Sequence, residues 1–141
     1  MPQTYNLASQ FDENCRVWVF IASRKLTPTE SAWSQEQLMA FTATWQTHGQ
    51  DMNATGFVFE DLALVLVANE TGVKASGCSM DKINHCIKAI AASLAIDLFN
   101  RMNTLVLEAG EWQLARFDTA EPRTCITAAT QRLGDLLSEQ R

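Results

Sequence analysis

Leu62-Ala63-Leu64-Val65-Leu66-Val67-Ala68, followed after a polar spacer by Ser76-Gly77-Cys78-Ser79-Met80-Asp81, is the stretch whose reading decides the fold. Its unbroken apolar run suits a buried strand. The serine-glycine turn then opens an amphipathic helix, read from Met80 to Ile96. That helix repeats its apolar side as Ile83, Ile87, Ile90 and Leu94, with Lys82, His85 and Lys88 pointing elsewhere. Strand, glycine turn and helix together predict a helix packed on one face of a sheet.

Working outward, Cys15 to Ala22 is β-branched, aromatic and almost wholly apolar, so it reads as a central strand. Thr27-Pro28-Thr29-Glu30 carries a cap residue, a proline at the first helical position and a glutamate placed for a capping box; Ser34-Gln35-Glu36-Gln37 offers a second helix start. The helix face holds Leu38, Phe41 and Trp45. His48 falls on the same stripe, aimed inward, and Gly49 reads as the left-handed cap that ends the helix. Gly56 to Phe59 and Leu62 to Ala68 are strands parted by Glu60-Asp61. Thr104 to Leu107 and Trp112 to Phe117 form a hairpin around Gly110. A last helix is read from the stripe Ile126, Ala129, Leu133, Leu136 and Leu137. Two hairpins interrupt any βαβ alternation. The expectation is therefore an α+β fold, a single domain over residues 1–141, with a mixed or antiparallel sheet of about five strands and three helices packed on it.

Composition narrows the function classes. With 141 residues, 47% hydrophobic and 19% charged, the chain suits one soluble domain with a real core. Its net charge of −5 comes without any block of lysines or arginines, so the phosphate-neutralising surface that nucleic acid requires is missing. The longest apolar run, Leu62 to Ala68, is far short of a membrane span, and the polar start Met1-Pro2-Gln3-Thr4-Tyr5-Asn6 has no signal-peptide core. A cytoplasmic protein is expected, with its four cysteines as free thiols. No cofactor is implied. The partners left open are a small molecule or anion and a second copy of the chain as a homodimer.

Three readings of the cysteine turn stand side by side. In the first, Cys78 is a nucleophile, His48 its base or counter-ion, and Asp81 or Asp97 orients the imidazole. Lowering a thiol from pKa ~8.5 to ~7 takes roughly 2 kcal/mol, whereas a helix terminus supplies only about 0.3–1 kcal/mol, so a cationic partner is required. In the second, the free backbone N–H groups at Cys78 and Ser79, the hydroxyls of Ser76 and Ser79, and Arg101 or Arg24 hold an anion or polar metabolite in a pocket to which Gly77 and Trp45 also belong. In the third the turn is structural: Gly77 supplies a positive φ or a close approach, Ser79 caps the helix, Asp81 complements its dipole, Cys78 is a small buried residue and His48 a core histidine. Zinc is disfavoured, because Cys78, His85 and Cys86 fit no common spacing. Trp18, Trp33, Phe57, Phe59 and Trp112 read as packing, and Asp97 with Arg101 as an i, i+4 ion pair.

Trp45-Gln46-Thr47-His48-Gly49, Ala75-Ser76-Gly77-Cys78-Ser79-Met80-Asp81 and Asp97-Leu98-Phe99-Asn100-Arg101 resemble, in order and spacing, a family of small uncharacterised bacterial proteins often labelled "ABC transporter ATPase". The resemblance covers Arg24 to Arg101. It implies that Trp45, His48, Gly49, Ser76, Gly77, Cys78, Ser79, Asp81 and Arg101 belong to a site, and it implies no reaction. The label asks for a P-loop, G-x-x-x-x-G-K-[ST], and the chain has none: Gly77-Cys78-Ser79-Met80-Asp81-Lys82 holds one glycine and sets an aspartate where phosphate would lie.

Overall fold

The computed structural model describes residues 11–116 and 125–138. At its centre lies β5 (Ala63–Asn69), antiparallel to β1 (Arg16–Ile21) on one side and β4 (Asn53–Phe59) on the other. Every residue of β5 from Ala63 to Ala68 is buried, because layers cover both faces of this sheet. On one face, Val17, Val19, Ile21, Phe57, Phe59, Val65 and Val67 meet Leu105, Trp112, Ile126, Leu133 and Leu136. On the other, Leu64, Leu66 and Ala68 meet Leu38, Trp45, Ile83, Ile87 and Ile90 from the two long helices.

The first of these helices, α1 (Pro28–Thr44), starts as its sequence asks. Thr27 accepts from Glu30 N–H, Glu30 accepts from Thr27 N–H, and Pro28 occupies the first turn. The alternative start at Ser34 lies inside the helix and is buried. α1 packs on β4 at Gly56, where a Cβ would stand 3.0 Å from Leu38 Cβ and 3.1 Å from Leu66 Cδ2. The Gln35 side chain pairs with the free side of β4, donating from Nε2 to Gly56 O at 2.7 Å and accepting from Val58 N–H at 3.2 Å. Two outward backbone groups in the middle of this edge strand are thereby paired by one side-chain amide.

The second long helix, α2 (Gly77–Leu94), begins three residues earlier than the sequence reading placed it. Ser76 is its cap and Ala95, at φ 54°, its left-handed terminus. The expected strands after α2 form a second sheet rather than extending the first: β6 (Asn103–Glu108) pairs with β7 (Glu111–Arg116) and with the short β8 (Cys125–Ile126), in the order β7-β6-β8. Phe117, expected in β7, lies outside the described residues. The α+β class holds, with antiparallel pairing throughout the described residues and two three-stranded sheets, beside one two-stranded hairpin, in place of a single sheet.

The last helix is the main correction. Ile126 is a strand residue opposite Leu105, and α3 spans only Leu133–Ser138. The periodic stripe is broken at Thr127, whose hydroxyl accepts from Ala129 N–H and whose carbonyl accepts from Thr130 N–H. Gly134 lets this helix touch Glu13, where a Cβ would meet Glu13 Cβ at 2.9 Å. No described helix is long and apolar enough to cross a membrane.

Candidate functional site

The Trp45 and Ser76 motifs come together, as a joint between elements. α1 stops at Thr44 because Trp45 turns extended, with ψ 127°, and leads into a hairpin of β2 (Gln46–Thr47) and β3 (Gln50–Asp51). The Trp45 indole N–H donates to Ser79 O at 2.9 Å in a buried contact, and Thr47 Oγ1 donates to Ser76 Oγ at 2.9 Å. Ser76 Oγ accepts from Ser79 N–H at 3.1 Å, and Ser79 Oγ accepts from Ser76 N–H at 2.6 Å. The cap is therefore Ser76, with Ser79 as its reciprocal partner, rather than Ser79 alone. Three hydroxyls and an indole N–H fasten the start of α2 to the end of α1.

The residues that carried the chemistry of the turn face away from this joint. Cys78 is exposed in the first turn of α2, with no side-chain partner among the described residues. His48 is not on the helix stripe at all: with Gly49 it forms the hairpin tip, at φ 51° and 77°, and it is exposed and without a hydrogen-bond or ion-pair partner among the described residues. The two left-handed residues are what a type I′ turn requires, so Gly49 shapes a hairpin and not a helix end. No hydrogen bond joins His48 to Cys78 or to either aspartate, and Asp81 is exposed. Gly77 has neither a positive φ nor any atom within 4 Å of where its Cβ would be, so it is conformationally ordinary.

Arg24 belongs to the far end of α2. Its guanidinium makes a twofold ion pair with Glu30, both contacts at 2.8 Å, and donates to Leu94 O at 3.2 Å. The 18 residues of α2 span about 27 Å at ~1.5 Å per residue, which separates Arg24 from the cysteine turn. The guanidinium holds the Glu30 carboxyl at about 2, well below the usual carboxylate range. Burial pushes the thiols of Cys86 and Cys15 up.

Arg101 stands somewhere more informative. Asp97 does not pair with it; Asp97 Oδ1 accepts from Phe99 N–H at 2.8 Å in a local turn. Arg101 has no ion-pair partner among the described residues and lines a cleft of about 210 Å³ along the outer edge of β1. Trp18, Val19, Phe20 and Ile21 form its floor. Leu98, Phe99, Asn100 and Arg101 form one wall, with Asn84 of α2 and Ala128 completing it. Phe99, 40% exposed, meets Phe20 edge-on with ring centres 5.6 Å apart. Trp18 is held from two sides, by Trp45 at 5.6 Å and by the Arg16 guanidinium 4.7 Å from its ring centre. The Asn84 carboxamide has no hydrogen-bond partner among the described residues. Asn100 Oδ1 accepts from Met102 N–H at 3.0 Å.

A second groove of about 360 Å³ runs between α1 and α2 past Trp33, Phe41 and Cys86. Its lining carries no charge. Among the described residues no group of three or more His, Cys, Asp or Glu is placed to hold a metal ion. Sequence reasoning named Arg101 but missed Asn84, Asn100, Phe20 and Phe99. The available signal was the third motif, Asp97 to Arg101, four of whose five residues line the first cleft. Comparison with known proteins adds no relative: no protein-family model, no curated protein and no solved structure matches the chain.

Proposed function

We propose that the protein is a binding module for a small anionic molecule, and that its site is the β1 cleft rather than the cysteine turn. The observation that carries this reading is Arg101, a cation without a carboxylate partner among the described residues, at the wall of an aromatic cleft. A guanidinium so placed favours a carboxylate or phosphate, and Asn84 and Asn100 add polar residues to the lining. The residues lining the cleft include no serine, cysteine, histidine or carboxylate, which favours binding over catalysis. The motif resemblance supports the same place through Leu98 to Arg101. Four free cysteines suit a reducing cytoplasm. A cysteine-dependent enzyme using Cys78 and His48 has less support, since both are exposed and no hydrogen bond joins them.

The test is a titration of the ¹⁵N-labelled protein with small carboxylates and phosphates. Saturable shifts at Phe99 to Arg101, lost in Arg101→Gln, are the expected result. If no anion shifts those signals, or if Arg101→Gln binds equally well, the reading fails.

A further inference from the structure

The cleft beside β1 is built on a sheet edge, and the edge limits what can dock there. In an antiparallel ladder the N–H and C=O of one residue point to the same side, and successive residues alternate. Two bonds set the phase of β1. Ala22 N–H donates toward β5, to Leu62 O at 2.8 Å, and Val17 N–H donates away from β5, to Gln131 O at 3.0 Å. Val19 and Ile21 share the phase of Val17, so their N–H and C=O groups face the cleft. The opposite edge obeys the same alternation, since Gly56 O and Val58 N–H point outward to Gln35.

Val19 and Ile21 are 3% and 2% exposed, and their outward N–H and C=O groups have no partner among the described residues. Nearly all buried backbone groups in proteins are paired, so these groups call for partners that enter the cleft. The open stretch is short. Val17 is tied to Gln131 at one end; at the other, Ser23 N–H donates to Asp97 O and Asp97 N–H to Ser23 Oγ, both at 3.0 Å. Between these ties only Val19 and Ile21 face outward, about 6.6 Å apart at ~3.3 Å per residue. A cavity of about 210 Å³ matches the share of roughly seven water molecules. A long strand has no run of edge to follow, while a single acylated residue does.

We propose that the cleft recognises an amide-bearing small carboxylate, of the N-acyl amino acid or dipeptide class. This rests on the binding role proposed above and specifies its ligand. The ligand amide N–H donates to the outward carbonyl of Val19 or Ile21, one oxygen of its carboxylate accepts the outward N–H of that same residue, and the carboxylate pairs with Arg101. Its acyl group or side chain lies against Phe20 and Phe99. A simple carboxylate accepts hydrogen bonds but donates none, so it leaves the edge carbonyls unpaired.

The experiment titrates the ¹⁵N-labelled full chain with N-acetylalanine, N-acetylleucine and alanylalanine, beside acetate, inorganic phosphate, phenyl phosphate and O-acetyllactate, in the last of which an ester oxygen replaces the amide N–H. The amides are expected to shift the Val19 and Ile21 signals saturably. O-acetyllactate is expected to bind about tenfold more weakly than N-acetylalanine, and Arg101→Gln to weaken N-acetylalanine by about tenfold or more. If acetate and O-acetyllactate bind as tightly as the amides, or if only phosphates saturate the cleft, the amide inference is overturned and the binding role stands. If neither these compounds nor the phosphates move Val19, Ile21 or Phe99 to Arg101, both fall together.

Discussion

Gln35 is the most economical place to test how the central sheet is held. Its carboxamide makes two hydrogen bonds to β4 that would otherwise belong to a neighbouring strand, at 2.7 Å to Gly56 O and 3.2 Å from Val58 N–H. Gln35→Met keeps the length of the side chain and removes both. Each bond contributes about 1 kcal/mol net, and the partners left behind in a partly buried site raise the cost, so the variant should lose about 2–3 kcal/mol. For a chain of this size that is a fall of roughly 8 °C or more in melting temperature. Gln35→Glu asks a finer question. It keeps an acceptor for Val58 N–H but sets a carboxylate oxygen against Gly56 O, so the introduced carboxyl should be stabilised in its protonated form, with a raised pKa. Its penalty is then full at pH 7 and shrinks as pH falls through that raised value, when the acid O–H can donate to Gly56 O. Urea unfolding at pH 7 and pH 5, with unchanged m-values, reads both effects. A loss under about 0.5 kcal/mol in Gln35→Met, or a Gln35→Glu penalty independent of pH, would refute the role given to this amide.

Other expectations follow from single sites. The Glu30 carboxyl, held at about 2 by Arg24, contributes stability above its unfolded pKa near ~4.3 that is lost as pH falls toward 2; melting curves of Glu30→Gln should therefore converge on the wild type across that window, and parallel curves would contradict the ion pair. Ala109 sits left-handed at φ 51° in the β6–β7 turn before Gly110, so Ala109→Asn should stabilise by about 1 kcal/mol in urea unfolding, and an unchanged midpoint would show the turn to be unstrained. Cys78 and Cys125 are exposed, whereas burial raises the thiols of Cys15 and Cys86. Mass-spectrometric alkylation should therefore label the first two sooner, with the Cys78 rate unaffected by His48→Ala. A Cys78 profile that moved with His48 would restore the nucleophile reading.

What the sequence made legible was local. The Thr27 capping box, the buried run of β5 and the apolar stripe of α2 each depend on residues within a few positions of one another, and each stands as expected. Periodicity misled where it ran past a break that only side-chain hydrogen bonding imposes. The Leu38, Phe41 and Trp45 stripe pointed on to His48, but the Trp45 indole is committed to Ser79 O and the chain turns into a hairpin before His48 is reached. The Ile126 stripe likewise crossed the Thr127 turn. The serine turn was read as a site because a capping box made of two serines and an anion-binding loop draw on the same residue types. The cleft was hidden for a different reason, since β1, Asn84, the Phe99 to Arg101 wall and Ala128 come together only through the tertiary fold.

The two edges of the central sheet separate architecture from function. At β4, Gln35 satisfies a buried carbonyl and a neighbouring N–H, and Gly56 lets α1 close over them. At β1 the chain returns twice, through Gln131 and through Asp97, yet both returns stop short of Val19 and Ile21. Unpaired strand edges invite aggregation, and natural proteins cover them or break them up. The stretch left unpaired among the described residues is too short to template a second chain, and it is set at buried depth between aromatic rings and an arginine. The two buried residues of β1, whose outward polar groups lie beside Arg101 without partners among the described residues, are the reason the binding site is proposed at that edge.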